Sequence, residues 1–227
     1  MIGDSHKDFR QELKYVVPAK SYHRALHWIL HNSAHFYMEY PDRQVNSIYF
    51  DSYNYDAYKD NLAGIASRKK IRYRWYGDSL FPVQGALEFK YKRNHLCKKV
   101  ICKVKDIDIQ ENASWSSIRR DIMDRLPDDV CHHLNRNPLS ALINRYQRAY
   151  FRSKQSDIRI TLDSTLIFHK QGGTFPNYTR KIHLPDMNIL EIKFPSDFRN
   201  NVLEIMSDFQ FPVARFSKYC VGILSTT

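Results

Sequence analysis

The strongest constraint on this chain is a two-residue alternation that sets long cations against apolar side chains. In "KKIRYRWYG" (69–77), a strand puts Lys70, Arg72 and Arg74 on one face and Ile71, Tyr73 and Trp75 on the other. Successive side chains of a strand point to opposite faces, so the two sets cannot mix. The pattern recurs. Arg10, Glu12 and Lys14 oppose Leu13 and Tyr15; Glu88, Lys90 and Lys92 oppose Leu87, Phe89 and Tyr91. Arg159, Thr161 and Asp163 oppose Ile158, Ile160 and Leu162; Glu191 and Lys193 oppose Leu190, Ile192 and Phe194; Tyr146 shares a face with Arg148.

One such strand alone fits an open antiparallel sheet with a dry face and a solvated face. The repetition favours another arrangement. The charged face holds almost no Ser, Asn or Gln, and the opposite face is aromatic enough to need cover. A closed barrel with helices packed outside and a wet, charged interior satisfies both faces. The expected fold is therefore α+β: a closed eight-stranded antiparallel β-barrel with outer helices, spanning residues 1–227 as one domain.

The remaining elements follow from local signals. Strands are expected at "FRQELKYVV" (Phe9–Val17), "QVNSIYFDS", "KKVICKV", "INRYQRAYFRS", "DIRITLDSTLIFH", "RKIHLP" and "NILEIKF". "SRKKIRYRWYG" and "GALEFKYKR" read as a hairpin whose loop holds Gly77, Pro82 and Gly85. Pro18 opens a helix over "AKSYHRALHWILHNS", as proline does at a first turn. "NYDAYKDNLAG" is a short helix that Gly64 can terminate. "SWSSIRRDIMDRL" is helical with Ser114 as N-cap, "NNVLEIMSDF" is helical, and "RFSKYCVGIL" closes the chain. The tyrosines and phenylalanines of "IYFDSYNYDAY" are expected in the core and on the barrel exterior.

Composition narrows the class. Hydrophobic residues make up 43% of the 227, enough for a sizeable core. With 7 Gly against 15 Tyr and 13 Phe, strands are favoured over glycine-rich loops. Cys97, Cys102, Cys131 and Cys220 form no CxxC pair and no zinc spacing, which points to reduced thiols in a cytoplasmic protein. No apolar leader opens the chain and no run reaches the length of a membrane span, so a soluble protein is expected, working in the cytoplasm or docked at the inner face of the membrane on a membrane partner.

The net charge of +11 calls for an anionic partner. Cations crowded into a barrel repel one another, and interleaved glutamates offset only part of this. A phosphate-rich polyanion resolves the problem, because arginine grips its oxygens bidentately and lysine acts as a point charge. Nucleic acid fits less well. The aromatics lie opposite the cations, where they cannot stack bases over the same groove, and the glutamates would repel a backbone.

"RQELKY", "SIYFDS", "KIRYRWYG", "LEFKYK", "RYQRAYF", "IRITLD", "ILEIKF" and "RFSKY" together resemble the vacuolar transporter chaperone (VTC) polyphosphate polymerase domain of the CYTH / triphosphate tunnel metalloenzyme superfamily, in order from Arg10 to Tyr219. The resemblance implies an eight-stranded tunnel that transfers the γ-phosphate of ATP onto a growing inorganic polyphosphate chain with Mn²⁺ or Mg²⁺. It implies a catalytic set of Lys14, Arg72, Arg74, Lys90, Arg148, Arg159 and Lys218. Tyr146 and Ser217 match substrate-binding positions, and Glu191 matches the metal-binding glutamate. Lys193 lies beside Glu191, and Lys92 stands where eukaryotic polymerases of this kind can carry histidine; both are assigned to substrate. Arg10 and Lys70 belong at the tunnel mouth or in a salt bridge. Glu12 and Glu88 are further metal candidates or partners of neighbouring lysines.

Hydrolytic tunnel enzymes begin with an E-x-E-x-K strand. Here Arg10 replaces the first glutamate, which tilts the reading from triphosphatase towards polymerase. The alternatives are an inorganic or nucleoside triphosphatase and a non-catalytic polyphosphate-binding module. A tunnel open at both ends would let product leave opposite to ATP. No SPX-like or membrane segment is seen, so a stand-alone prokaryotic form is expected. His23, His27, His31 and His35 form an i, i+4 stripe read as a solvated helix face. Cys131-His132-His133 is read as structural in a loop or helix end, and Asp163 as structural.

Overall fold

The computed structural model describes residues 10–80, 84–93, 96–105, 107, 112–184 and 186–226. Phe9, Pro82 and Pro185, which the sequence reading places in a strand, a hairpin loop and a strand end, lie outside the described residues.

Among the described residues nine strands form one antiparallel sheet: β1 (Arg10–Pro18), β2 (Phe36–Asp51), β3 (Ser67–Tyr76), β4 (Gly85–Arg93), β5 (Leu96–Val104), β6 (Leu139–Ser153), β7 (Arg159–Lys170), β8 (Lys181–Leu184) and β9 (Met187–Pro195). Their order is β6-β2-β3-β4-β5-β1-β9-β7-β8, and a further β6–β7 pairing joins the ends. Eight strands thus close a hydrogen-bonded ring, with β8 added outside it on β7. The ring is not spaced evenly round an axis, so the expectation of a barrel is met only as an antiparallel α+β ring. Its weak seam is β1 against β5, which among the described residues pair only at Arg10 and Cys97. Beyond that point the chain near its end takes over: Val213 bridges Tyr15, and the Ala214 amide donates to the Lys14 carbonyl at 2.8 Å.

Helices cover the apolar outer face where the alternation requires it. Helices α1 (Tyr22–His31) and α5 (Arg199–Ile205) bring Ala25, Ile29 and Val202 onto Tyr15, Val17, Ile160, Leu162, Leu190 and Ile192. Helices α3 (Trp115–Met123) and α4 (Asp128–Asn135) bring Ile118, Ile122 and Leu134 onto Ile71, Tyr73, Trp75, Leu87 and Phe89. Each such side chain removed from water contributes roughly 1.5–3 kcal/mol. Ser114 accepts the Ser117 amide, as its N-cap role requires.

Two local expectations change and one narrows. Helix α1 ends at His31, so His35 leaves the histidine stripe and sits in a left-handed turn at φ 50°. Of the loop and the helix end open to Cys131, His132 and His133, the helix end holds: all three lie within α4, the histidines in its last turn. Tyr49 faces the ring interior, not the exterior, and donates no cover to the outer core.

The largest change is the chain end. "RFSKYCVGIL" forms α6 (Lys218–Thr226), which enters one end of the ring instead of packing outside. Tyr219, Cys220 and Ile223 bury against Tyr49, Leu142, Tyr146, Leu166, Phe168 and Ile189, all on inward faces. The tunnel open at both ends is therefore corrected: a helix fills one end. Strand β7 accommodates it through Thr165, a β-branched residue at φ 54°, where the β6–β7 register shifts between Arg145 and Gln147. That extra residue lets Asp163 before it and Leu166 and Phe168 after it face the same interior. Asp51 holds this end together, accepting from the Tyr219 hydroxyl at 2.5 Å and the Ala57 amide at 2.9 Å at the start of α2 (Asp56–Leu62). Among the described residues no helix is long and apolar enough to cross a membrane.

Candidate functional site

The inner faces of β1, β3, β4, β6, β7 and β9 converge on one lining, as the alternation demands. Lys14, Arg72, Arg74, Lys90, Arg148, Lys193 and Lys218 all engage carboxylates there. Three groupings emerge.

Asp163, with no exposed surface, anchors the first. It accepts from Arg148 Nε at 2.5 Å and Nη2 at 2.8 Å, a bidentate pair, and from Lys218 Nζ at 2.5 Å. Burial pushes the Asp163 carboxyl up, but Arg148 and Lys218 outweigh it and hold it below the usual range. Lys218 also sits 4.7 Å from the Tyr146 ring centroid, and Tyr146 Oη accepts from Arg74 at 3.1 Å. The late Ser217-Lys218 pair thus reaches the lining because α6 starts inside the ring.

Glu88 anchors the second. Arg72 donates to it at 2.7 Å through Nε, and Lys99 at 2.6 Å. Arg74 lies 3.8 Å away. Burial works against the Glu88 charge, and Arg72, Arg74 and Lys99 overcome it, keeping it far below an ordinary carboxylate. Lys99 is a lining residue that the sequence reading missed; its signal was its place in "KKVICKV" opposite Lys90. Tyr49 is another. Its hydroxyl accepts from Arg72 at 3.3 Å, and although burial pushes it up, Arg72 and Arg74 pull its pKa below the tyrosine norm.

Glu12 and Glu191 form the third grouping, linked by Lys14, which lies 3.4 Å from Glu12 and 3.9 Å from Glu191. Lys90 reaches both Glu12 oxygens, at 2.7 and 2.9 Å, and Lys193 reaches Glu191 at 2.8 Å. Burial pulls Lys14 down, yet Glu191 and Glu12 raise it well above an ordinary lysine. Burial pushes Glu191 up, and Lys193, Lys14, Lys90 and Arg148 outweigh it.

Other expected residues sit at the margins. Lys70 donates to Ser217 Oγ at 2.8 Å beside α6, inside rather than at a mouth. Arg10 and Arg159 both meet Asp157 of the β6–β7 turn, at 2.7 and 3.4 Å, which places Arg10 in a rim salt bridge. Lys92 lies further out on β4, partly buried. Inward polar atoms buried with no partner include Arg159 Nε, Thr161 Oγ1 and both amide atoms of Asn144. Native proteins rarely leave such atoms unmet unless a ligand or water completes them.

The donor set limits what metal the lining suits. No group of three His, Cys, Asp or Glu converges among the described residues. Glu12 and Glu191 share Lys14 and supply hard oxygen donors, whereas Glu88 is committed to Arg72 and Lys99. A pair of carboxylates completed by phosphate oxygens is how Mg²⁺ and Mn²⁺ are commonly held, so Glu12 and Glu191 fit such an ion.

A closed antiparallel ring with an inward cationic lining and interleaved carboxylates defines a tunnel-type α+β protein. Solved structures share that fold. A candidate adenylate cyclase from Vibrio parahaemolyticus superposes with a TM-score of 0.53 at 13% identity, over 96% of this chain and 98% of its own. HpAC1 from Hippeastrum, described as having a dominant triphosphatase activity, gives 0.57 at 15% over 96% and 95%. A protein of Pyrococcus horikoshii gives 0.52 at 13% over 96% and 99%. A comparison with curated protein sequences finds no match. The VTC domain family matches residues 9–227, and the chain belongs to it.

Proposed function

We propose that the protein is a polyphosphate polymerase that moves the γ-phosphate of ATP onto the end of a polyphosphate chain inside the ring. The observation that supports this most is the lining itself: cations outnumber Glu12, Glu88, Asp163 and Glu191, and Arg159 Nε and Thr161 Oγ1 await a partner. A chain of phosphates supplies the missing anions over the length of such a lining.

Phosphoryl transfer depends mainly on positioning and charge neutralisation. Arg72 and Arg74 are set by Glu88, and Arg148 and Lys218 by Asp163, so their charges are oriented before substrate arrives. Preorganised cations stabilise charge that develops on the transferred group without reorganising at the moment of reaction. Lys14 and Lys90 face the same space, and each has a carboxylate partner to exchange for phosphate oxygens. Glu191 and Glu12 would hold the divalent ion, which would supply further neutralisation of phosphate charge. The acceptor is already an anion and needs no strong base.

The test is direct. Purified protein incubated with ATP and Mn²⁺ should yield long-chain polyphosphate on a stained gel, with free phosphate assayed in parallel. Glu191→Gln should abolish metal-dependent turnover while the circular dichroism spectrum is kept. Free phosphate alone would support the triphosphatase instead, the reading favoured by the activity described for HpAC1. Neither product, with tight polyphosphate binding, would leave a binding module.

A further inference from the structure

The end of the ring away from α6 carries a feature that phosphate binding does not use. Tyr76 lies two residues beyond Arg74 on β3, and Tyr150 two beyond Arg148 on β6, so both continue inward faces towards solvent. Strand β2 completes the group. Tyr40 pairs with Tyr150 and Arg43 with Arg148, across a register shift at Pro41 and Asp42 that turns Arg43 onto the tyrosines. The Arg43 guanidinium carbon lies 4.6 Å from the Tyr40 ring centroid, 5.7 Å from Tyr150 and 6.0 Å from Tyr76. Tyr40 and Tyr150 meet edge to face at 5.8 Å. Yet Tyr40 stays 44% exposed and Tyr76 51%.

We propose that Tyr40, Tyr76 and Tyr150, with Arg43 among them, take the nucleobase of a nucleoside triphosphate whose phosphates lie deeper against Arg74 and Arg148. The inference rests on the phosphate-site reading above and deepens it: it names the residues that hold the base of the nucleotide donor and make ATP bind better than inorganic triphosphate. Exposed ring faces and an arginine plane are the surfaces on which bases stack, and any base has a π-face to offer. Inorganic phosphate chains have none. The cluster is neither a buried core, since two rings are about half exposed, nor a salt-bridge scaffold, since Arg43 meets no carboxylate among the described residues. It also touches the phosphate site, because the Arg148 guanidinium lies 5.9 Å from the Tyr150 ring. A base held there is one nucleoside's reach from the cations.

Calorimetric titration with ATP and with inorganic tripolyphosphate separates the two sites. For Tyr76→Ala, and for the double variant Tyr40→Ala/Tyr76→Ala, ATP should bind at least tenfold more weakly. Their tripolyphosphate affinity should stay within twofold of the native protein. Both substitutions remove half-exposed rings, and thermal melting checks the fold. Unchanged ATP affinity, or parallel loss of both ligands, overturns the nucleobase site alone. Native protein that binds neither ligand overturns the phosphate-site reading and this inference with it.

Discussion

Lys70 is one of two lining lysines, with Lys99, whose charge burial weakens most. Burial pulls its pKa down to about 8, Lys14 and Lys90 add to the effect, and Cys220 and Tyr49 only partly oppose it. Its hydrogen bond to Ser217 Oγ is to a neutral group, so no carboxylate restores the charge. A bound polyanion would favour the protonated amine and raise this pKa. The bound state then holds more protons than the free state in the window above pH 8. Affinity for tripolyphosphate should therefore be greatest below pH 8 and fall as pH rises through it. Lys70→Arg keeps its charge throughout and should flatten that fall, leaving the share due to Lys99, which burial also brings down to about 8 despite Glu88. Titration calorimetry from pH 7 to 9.5 measures both profiles, and superimposable curves would sink the assignment. At Asp163, by contrast, the lining is structural as well. Asp163→Asn leaves Arg148 and Lys218 buried without their counter-charge, a change that costs roughly 3–5 kcal/mol. Urea unfolding should show that loss.

At the scale of elements, α6 decides the shape of the interior. It comes so close to β6 and β7 that a Cβ at Gly222 would run into the Leu142 and Phe168 side chains. Gly222→Ala should therefore destabilise the protein by about 1–3 kcal/mol, although alanine is the better helix former. It should also lower tripolyphosphate affinity, because Lys218 and Ser217 are carried by the same helix. A rise in melting temperature would show that the helix packs elsewhere. None of this could be read from the sequence. Tyr219, Cys220 and Ile223 are as apolar as the buried residues of α1 or α3, so composition does not say which side of the sheet the helix takes. The alternation placed the inward faces of β1, β3, β4 and β9 correctly because nothing interrupts their period. It could not show that Thr165 resets the period of β7, nor that Tyr49 points inward when most strand aromatics point outward. The seam is equally silent: β1 and β5 alternate like good neighbours, yet at Lys14 and Tyr15 the β1 edge pairs with residues 213–214 rather than with β5. The cations at "KIRYRWYG", "LEFKYK" and "RYQRAYF" were legible because each needs a reason to sit on a covered strand.

For the whole molecule, the lining sets a tension between stability and function. The net charge is +11, and the inward cations are only partly matched by Glu12, Glu88, Asp163 and Glu191. Repulsion inside the ring opposes closure, and the ion pair that Lys90 on β4 makes with Glu12 on β1 offsets only part of it at the β1–β5 seam. A ligand that binds only the folded ring stabilises it by RT ln(1 + [L]/Kd), about 2.7 kcal/mol at a hundred times Kd. For a chain of this length each kcal/mol moves the midpoint by about 2–4 °C, so tripolyphosphate should raise it by about 5–10 °C. Simple screening by salt also eases repulsion, but without geometry, and acts within a Debye length of about 8 Å. Sulfate at the same ionic strength should accordingly give a much smaller rise. Scanning calorimetry with the two salts decides the matter. Equal shifts would mean that the cations act as a diffuse field, and that the ordered arrangement of Arg72, Arg74, Arg148 and Lys218 is not a binding site for a phosphate chain.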